Sequence, residues 1–156
     1  MTTGRLLIQP PSGKLYPLSL DEVELLKEYL DVMLKNGKMC PSKSSADTPM
    51  FFAKQANAKL CIVVDYLGLN AITINAKYPL PLLTIKMQQL GTSQIFSKLD
   101  LKLGFNLLLI AEGNEWNTAF KTRYGLCEYT VIPFGLTNAP SVLQRHLSNV
   151  LAENRD

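Results

Sequence analysis

The sequence predicts an α+β domain, on three observations. A capped amphipathic helix opens the folded part, apolar β-branched runs separated by turn residues fill the middle, and a second amphipathic helix closes it. The order helix, hairpin, helix, strands, helix lacks the strand-helix alternation of a doubly wound sheet, so an antiparallel sheet with packed helices is expected.

Taken in order, residues 1–18 hold Pro10, Pro11, Gly13 and Pro17, which forbid regular helix and predict an extended leader ahead of a domain over 19–156. Ser19-Leu20-Asp21-Glu22 has the form of a capping box, in which the hydroxyl takes a backbone N–H and the glutamate reaches back to the cap. Val23, Leu26, Leu30, Met33 and Leu34 then recur at helical spacing as far as Gly37. Cys40 to Thr48 reads as a loop. Pro49 to Ala53 and Leu60 to Tyr66 are apolar runs joined by a polar turn through Gln55, Asn57 and Ala58, which predicts an antiparallel hairpin over 49–66.

Pro79 and Pro81 interrupt the chain, and Leu82 to Leu90 reads as a short helix closed by Gly91. Ile95-Phe96-Ser97-Lys98-Leu99-Asp100-Leu101 alternates apolar and polar residues, which predicts a half-buried strand ending at an acid. A second strand is expected over Leu107–Ala111, and a further hairpin from Thr118–Thr122, Gly125 and Cys127–Ile132, so that strands run through 94–132. Thr137 or Asn138 should cap a helix over 138–151, with Pro140 tolerated in its first turn.

With 156 residues, 47% hydrophobic and 19% charged, the chain suits one core and one domain. Sixteen Lys plus Arg against thirteen Asp plus Glu leave +3, which permits a phosphate-bearing partner without arguing for one. Cys40, Cys61 and Cys127 are odd in number, far apart and without a Cys-x-x-Cys pair, so neither a disulfide framework nor a zinc site is expected. Leu6-Leu7-Ile8 is too short for a signal-peptide core and no segment has the length to span a bilayer. An intracellular protein, cytoplasmic or nuclear, without membrane association is therefore expected.

Asp100 is the residue of most chemical interest. A carboxylate that closes an apolar strand is either desolvated or aimed at something. Mg²⁺ is held by one or two carboxylates together with substrate phosphates, so Asp100 alone is a partial site; the alternative is an acid that caps a turn or pairs with Lys98 or Lys102. Asp65 reads as a turn former ahead of Gly68, and His146 as a solvated helix-face residue. Gly104, Gly113, Gly125 and Gly135 compose neither a Gly-x-Gly-x-x-Gly nor a Walker loop.

Several phrases in register add to this reading. Val64-Asp65-Tyr66, Leu69-Asn70, Asn75-x-x-Tyr78-Pro79-Leu80-Pro81, Ile95 to Leu101, Thr118-Ala119-Phe120-x-Thr122, Gly125 and Pro133-Phe134-Gly135-Leu136-x-Asn138-Ala139-Pro140 resemble the reverse transcriptase of gypsy-class LTR retrotransposons. The resemblance runs from about residue 14 to the end and implies a right-hand polymerase fold, with residues 49–66 as the fingers hairpin and 94–132 as palm strands. It implies Asp100 as the first of three metal-binding aspartates in a two-Mg²⁺ polymerase. Phe105 takes the place of the steric gate beneath the sugar, Leu101, Phe134 and Gly135 line the nucleotide pocket, and Lys54 is the main fingers cation. The partners implied are an RNA or DNA template-primer and deoxynucleoside triphosphates.

Departures from the family pattern are specific. Cys61 and Leu67 stand where the family carries Arg, losing charge and bidentate geometry. Asn57-Ala58 replaces Asp-Gly, and Lys102 to Leu107 replaces a more polar stretch. These 156 residues contain neither the Tyr-x-Asp-Asp hairpin nor thumb or RNase H regions, so the expectation is a polymerase domain inactive by itself. The alternative is a decayed or domesticated retroelement protein with weak nucleic-acid or protein binding.

Overall fold

Ser19 sets the start of the first helix, α1 (Leu20–Lys35), through the anticipated capping box: its hydroxyl accepts from the Glu22 N–H while the Glu22 carboxylate accepts from the Ser19 N–H at 2.8 Å. Gly37 ends it. With φ +67, this glycine lets its N–H reach the Leu34 carbonyl and the Lys38 N–H reach Met33, which satisfies carbonyls the helix leaves open. The computed structural model describes residues 13–55, 59–76, 78, 83–91, 94–98 and 100–152. The anticipated leader and the Asn57-Ala58 turn therefore fall largely or wholly outside the described residues.

Two antiparallel sheets follow among the described residues. Strands β2 (Met50–Lys54) and β3 (Leu60–Val64) pair from Met50 opposite Val64 to Lys54 opposite Leu60, as the hairpin reading requires. Strand β1 (Met39–Pro41) pairs with β5 (Gly125–Tyr129), and β5 pairs with β4 (Phe120–Thr122), giving the order β1-β5-β4. A parallel bridge between Thr48 and Phe120 joins the segment before β2 to β4. Leu26, Leu30 and Met33 of α1 pack on Met39, Met50, Val64, Phe120, Cys127 and Tyr129, so the helix covers both sheets with one apolar stripe. Helices α2 (Leu67–Ile72), α3 (Leu83–Leu90) and α4 (Ala139–Val150) complete the chain. Among the described residues, no helix is long and apolar enough to cross a membrane.

Four expectations need correction. Residues 95–98 and Asp100 form no strand; Ile95 is 89% and Phe96 63% exposed, so successive side chains both face solvent. Alternation describes only what a pleat requires, and a strand also needs a neighbour to take its N–H and C=O groups, which none of the described residues supplies here. The strand expected at 107–111 reduces to a bridge between Leu109 and Val131, preceded by a 3₁₀ turn over Gly104–Leu107. The loop read over 40–48 begins as β1, a strand too short to show a period. Asn138 is the N-cap residue of α4, but its side chain makes no capping bond.

Candidate functional site

The stretch after Asp100 turns sharply. Leu103 adopts left-handed backbone, φ 54 and ψ 42, and the 3₁₀ turn that follows is closed by Asn106 N–H to Leu103 O at 2.9 Å and Leu108 N–H to Phe105 O at 3.1 Å. Gly104 lies against α4: a Cβ there would stand 3.5 Å from Leu143 Cδ2 and 3.6 Å from Leu101 Cβ. The ring of Phe105, the next residue, meets that of Phe134 edge to face, centroids 5.2 Å apart and planes at 88°. Phe134 nevertheless remains 62% exposed. Gly135 follows with φ +94, over the Tyr66 ring, where a Cβ would lie 3.5 Å from Tyr66 Cδ2.

Of the residues singled out from sequence, Leu101, Phe105, Phe134 and Gly135 thus share one region. Asp100 precedes Leu101 on an exposed segment outside any sheet, rather than closing a palm strand. Lys54 ends β2 opposite Leu60 and is exposed on the separate hairpin. His146 is exposed on α4, and Asp65 accepts from the Leu67 N–H at 3.2 Å at the start of α2, the turn-forming role expected of it.

Two asparagines close this region, and their roles were not apparent from sequence. Asn70 donates Nδ2–H to the Gly135 carbonyl at 2.7 Å and accepts the Thr137 N–H at 2.8 Å. Asn138 donates to the Ile74 carbonyl at 2.8 Å and accepts the Ala76 N–H at 2.9 Å. The sequence signal was present only as the Leu69-Asn70 and Asn138-Ala139-Pro140 phrases.

The described residues contain no group of three His, Cys, Asp or Glu side chains arranged to hold a metal ion. Asp100 therefore belongs to no such group among the described residues. The cysteines are free thiols. Burial pushes Cys40 and Cys127 up from the ordinary thiol range, and Cys40 also donates to Glu128 Oε1, so both stay protonated and weakly nucleophilic.

Residues 53–156 match the family model described as reverse transcriptase (RNA-dependent DNA polymerase). The chain is 33% identical over 141 residues to the Transposon Tf2-3 and Tf2-7 polyproteins of Schizosaccharomyces pombe, an alignment spanning 90% of this chain and 11% of each polyprotein. Its fold is similar to native prototype foamy virus protease-reverse transcriptase, with TM-score 0.77, 24% identity, and coverage of 96% of this chain and 20% of that one. A foamy viral protease-reverse transcriptase in complex with RNA/DNA hybrid gives TM-score 0.79 at 20% identity, over 94% of this chain and 20% of that one. These likenesses show an α+β fold shared with foamy viral protease-reverse transcriptases, and the residues matched by the family model carry the assignment: the chain belongs to the reverse transcriptase family.

Proposed function

We propose that this chain is part of the reverse transcriptase of a gypsy-class LTR retrotransposon, with residues 49–66 as fingers hairpin and 94–132 within the palm. Its part in the reaction is to seat the deoxynucleotide that is added to a primer 3′-hydroxyl opposite a template. The observation that carries this reading is the edge-to-face contact of Phe105 with Phe134, beside the left-handed Gly135 and a few residues from an exposed Asp100. An aromatic wall excludes water and fixes a sugar or base by shape, which is the positioning that phosphoryl transfer depends on. Phe105 acts as the steric gate, Leu101, Phe134 and Gly135 line the pocket, and Lys54 meets phosphate from the fingers. The foamy viral protease-reverse transcriptase in complex with RNA/DNA hybrid supports a template-primer partner.

Asp100 is one carboxylate of a Mg²⁺ site whose remaining ligands lie outside the described residues, and one carboxylate cannot hold two divalent ions against their repulsion. On this reading the described residues by themselves hold too few ligands for catalysis, and the chain is expected not to polymerise alone. A primer-extension assay with Mg²⁺ and deoxynucleotides tests this: no incorporation is expected, and incorporation abolished by Asp100→Asn would overturn it.

A second reading, a decayed or domesticated protein without catalysis, is favoured by Cys61 and Leu67. Cys61 is half-buried with its thiol directed to the Ile62 carbonyl, and Leu67 is 77% exposed, so neither offers a phosphate a cation. Filter binding to a primer-template over a salt series separates the two. Phosphate contacts give a steep loss of affinity with salt, and an incidental surface a nearly flat one.

A further inference from the structure

We infer that Asn70 is a positioning residue for the Phe134–Gly135 wall, held in register by a reciprocal bond set from Asn138; the inference rests on the nucleotide reading above. The Asn70 amide donates to the carbonyl of residue 135 and accepts from the N–H of residue 137, flanking Leu136. Those are the two groups a neighbouring strand would engage, so the side chain stands in for a strand residue. Asn138 repeats the pattern in the opposite direction, donating to residue 74 and accepting from residue 76. Helix α2 and the segment after it are thereby tied to the segment before α4 by four bonds without a sheet between them.

Only a planar amide carries a donor and an acceptor side by side, which is why neither Asp nor Leu can do this at position 70. The atoms held are the backbone of the turn that carries Phe134, while the asparagines themselves lie outside the buried core cluster. Loss of the Asn70 amide should therefore loosen the wall and leave the fold intact. Leu136 packs against the core and its carbonyl accepts the Ala139 N–H, so the turn stays on the fold, while the Asn70 amide holds its Gly135 end, whose left-handed conformation glycine does not enforce by itself.

The test uses the 156-residue chain, with ring-to-ring nuclear Overhauser effects and titration with dTTP and Mg²⁺. Asn70→Ala should abolish the Phe105–Phe134 effects and keep those between Phe120 and Tyr129, whose stacked rings report the core. It should also weaken dTTP roughly 3- to 10-fold, the scale of one or two lost hydrogen bonds. Asn70→Asp keeps the acceptor for Thr137 but sets a carboxylate oxygen against the Gly135 carbonyl, so it should weaken dTTP at least as much as Asn70→Ala. Retained Phe105–Phe134 effects in Asn70→Ala, or unchanged affinity for dTTP, overturn the inference. Loss of the Phe120–Tyr129 effects overturns it too, because the amide would then be holding the core. Failure of the unmodified chain to bind dTTP sinks the nucleotide reading, while the ring effects still decide whether the amide holds the wall.

Discussion

The hydroxyls of Tyr29 and Tyr129 lie 3.0 Å apart, joining α1 to the last residue of β5 inside the core. Tyr129 also donates its backbone N–H to Thr118 Oγ1 at 2.9 Å, and the Tyr66 hydroxyl donates to the Thr118 carbonyl at 2.9 Å, so three phenols share one polar seam. Burial pushes the pKa of all three above the ordinary tyrosine value, most for Tyr66 and Tyr129. The folded state therefore holds these protons more tightly than the unfolded state. Their stabilisation is complete below about pH 10, the unfolded value, and is lost as pH rises through the folded values. Urea midpoints should not fall on account of these groups between pH 7 and 9 and should fall above about pH 10. Absorbance at 295 nm should report tyrosinate forming together with unfolding. A chain that ionises Tyr66 and Tyr129 while still folded contradicts the seam.

Ser19→Ala removes one half of the capping box and leaves Glu22 without its hydroxyl partner. The cost should be about 1 kcal/mol, at an exposed site where no packing is lost. Urea denaturation with an unchanged slope measures it, and a change near zero would mean that the buried stripe of α1 sets the helix start unaided.

Helix α1 was legible because every signal that makes it is local: cap, period and terminating glycine lie within nineteen residues, from Ser19 to Gly37. The β2–β3 hairpin was legible for a similar reason, since five residues separate its paired ends. Strand β1 was not, because Met39 pairs with Tyr129, and nothing near residue 39 encodes a partner ninety positions away. Ile95 to Asp100 failed in the opposite sense, with the right local pattern and no described partner. The site divides the same way. Resemblance picked out Phe105, Phe134 and Gly135, whereas the Asn70 and Asn138 bonds span more than sixty residues and leave no periodic trace.

Leu103 pays for the turn after Asp100 with a left-handed backbone, φ 54, although its side chain is about half exposed. A left-handed conformation costs a side-chain-bearing residue roughly 1–2 kcal/mol, and glycine escapes that cost at the expense of greater freedom when unfolded. Leu103→Gly should therefore leave stability unchanged or raise it by up to about 1 kcal/mol, against the usual direction for a glycine substitution. A loss above about 1 kcal/mol would show that the Leu103 side chain, not the backbone, holds the turn.

Asp100 and Phe120 should separate function from fold. Phe120 is fully buried, stacked on Tyr129 with centroids 5.3 Å apart, and Phe120→Ala should cost about 3–5 kcal/mol through the cavity it leaves. Asp100 is exposed, so Asp100→Asn should change stability by less than about 0.5 kcal/mol. Thermal melts of the two variants compare the costs directly. On the proposed metal role, in a longer polyprotein segment that does polymerise, Asp100→Asn should abolish incorporation with the melting temperature unchanged, since an exposed carboxylate supports no core contact. Unimpaired incorporation by that variant would remove Asp100 from the metal site, and an Asp100→Asn chain that melts many degrees early would mean the carboxylate is structural, as a turn cap or a lysine partner.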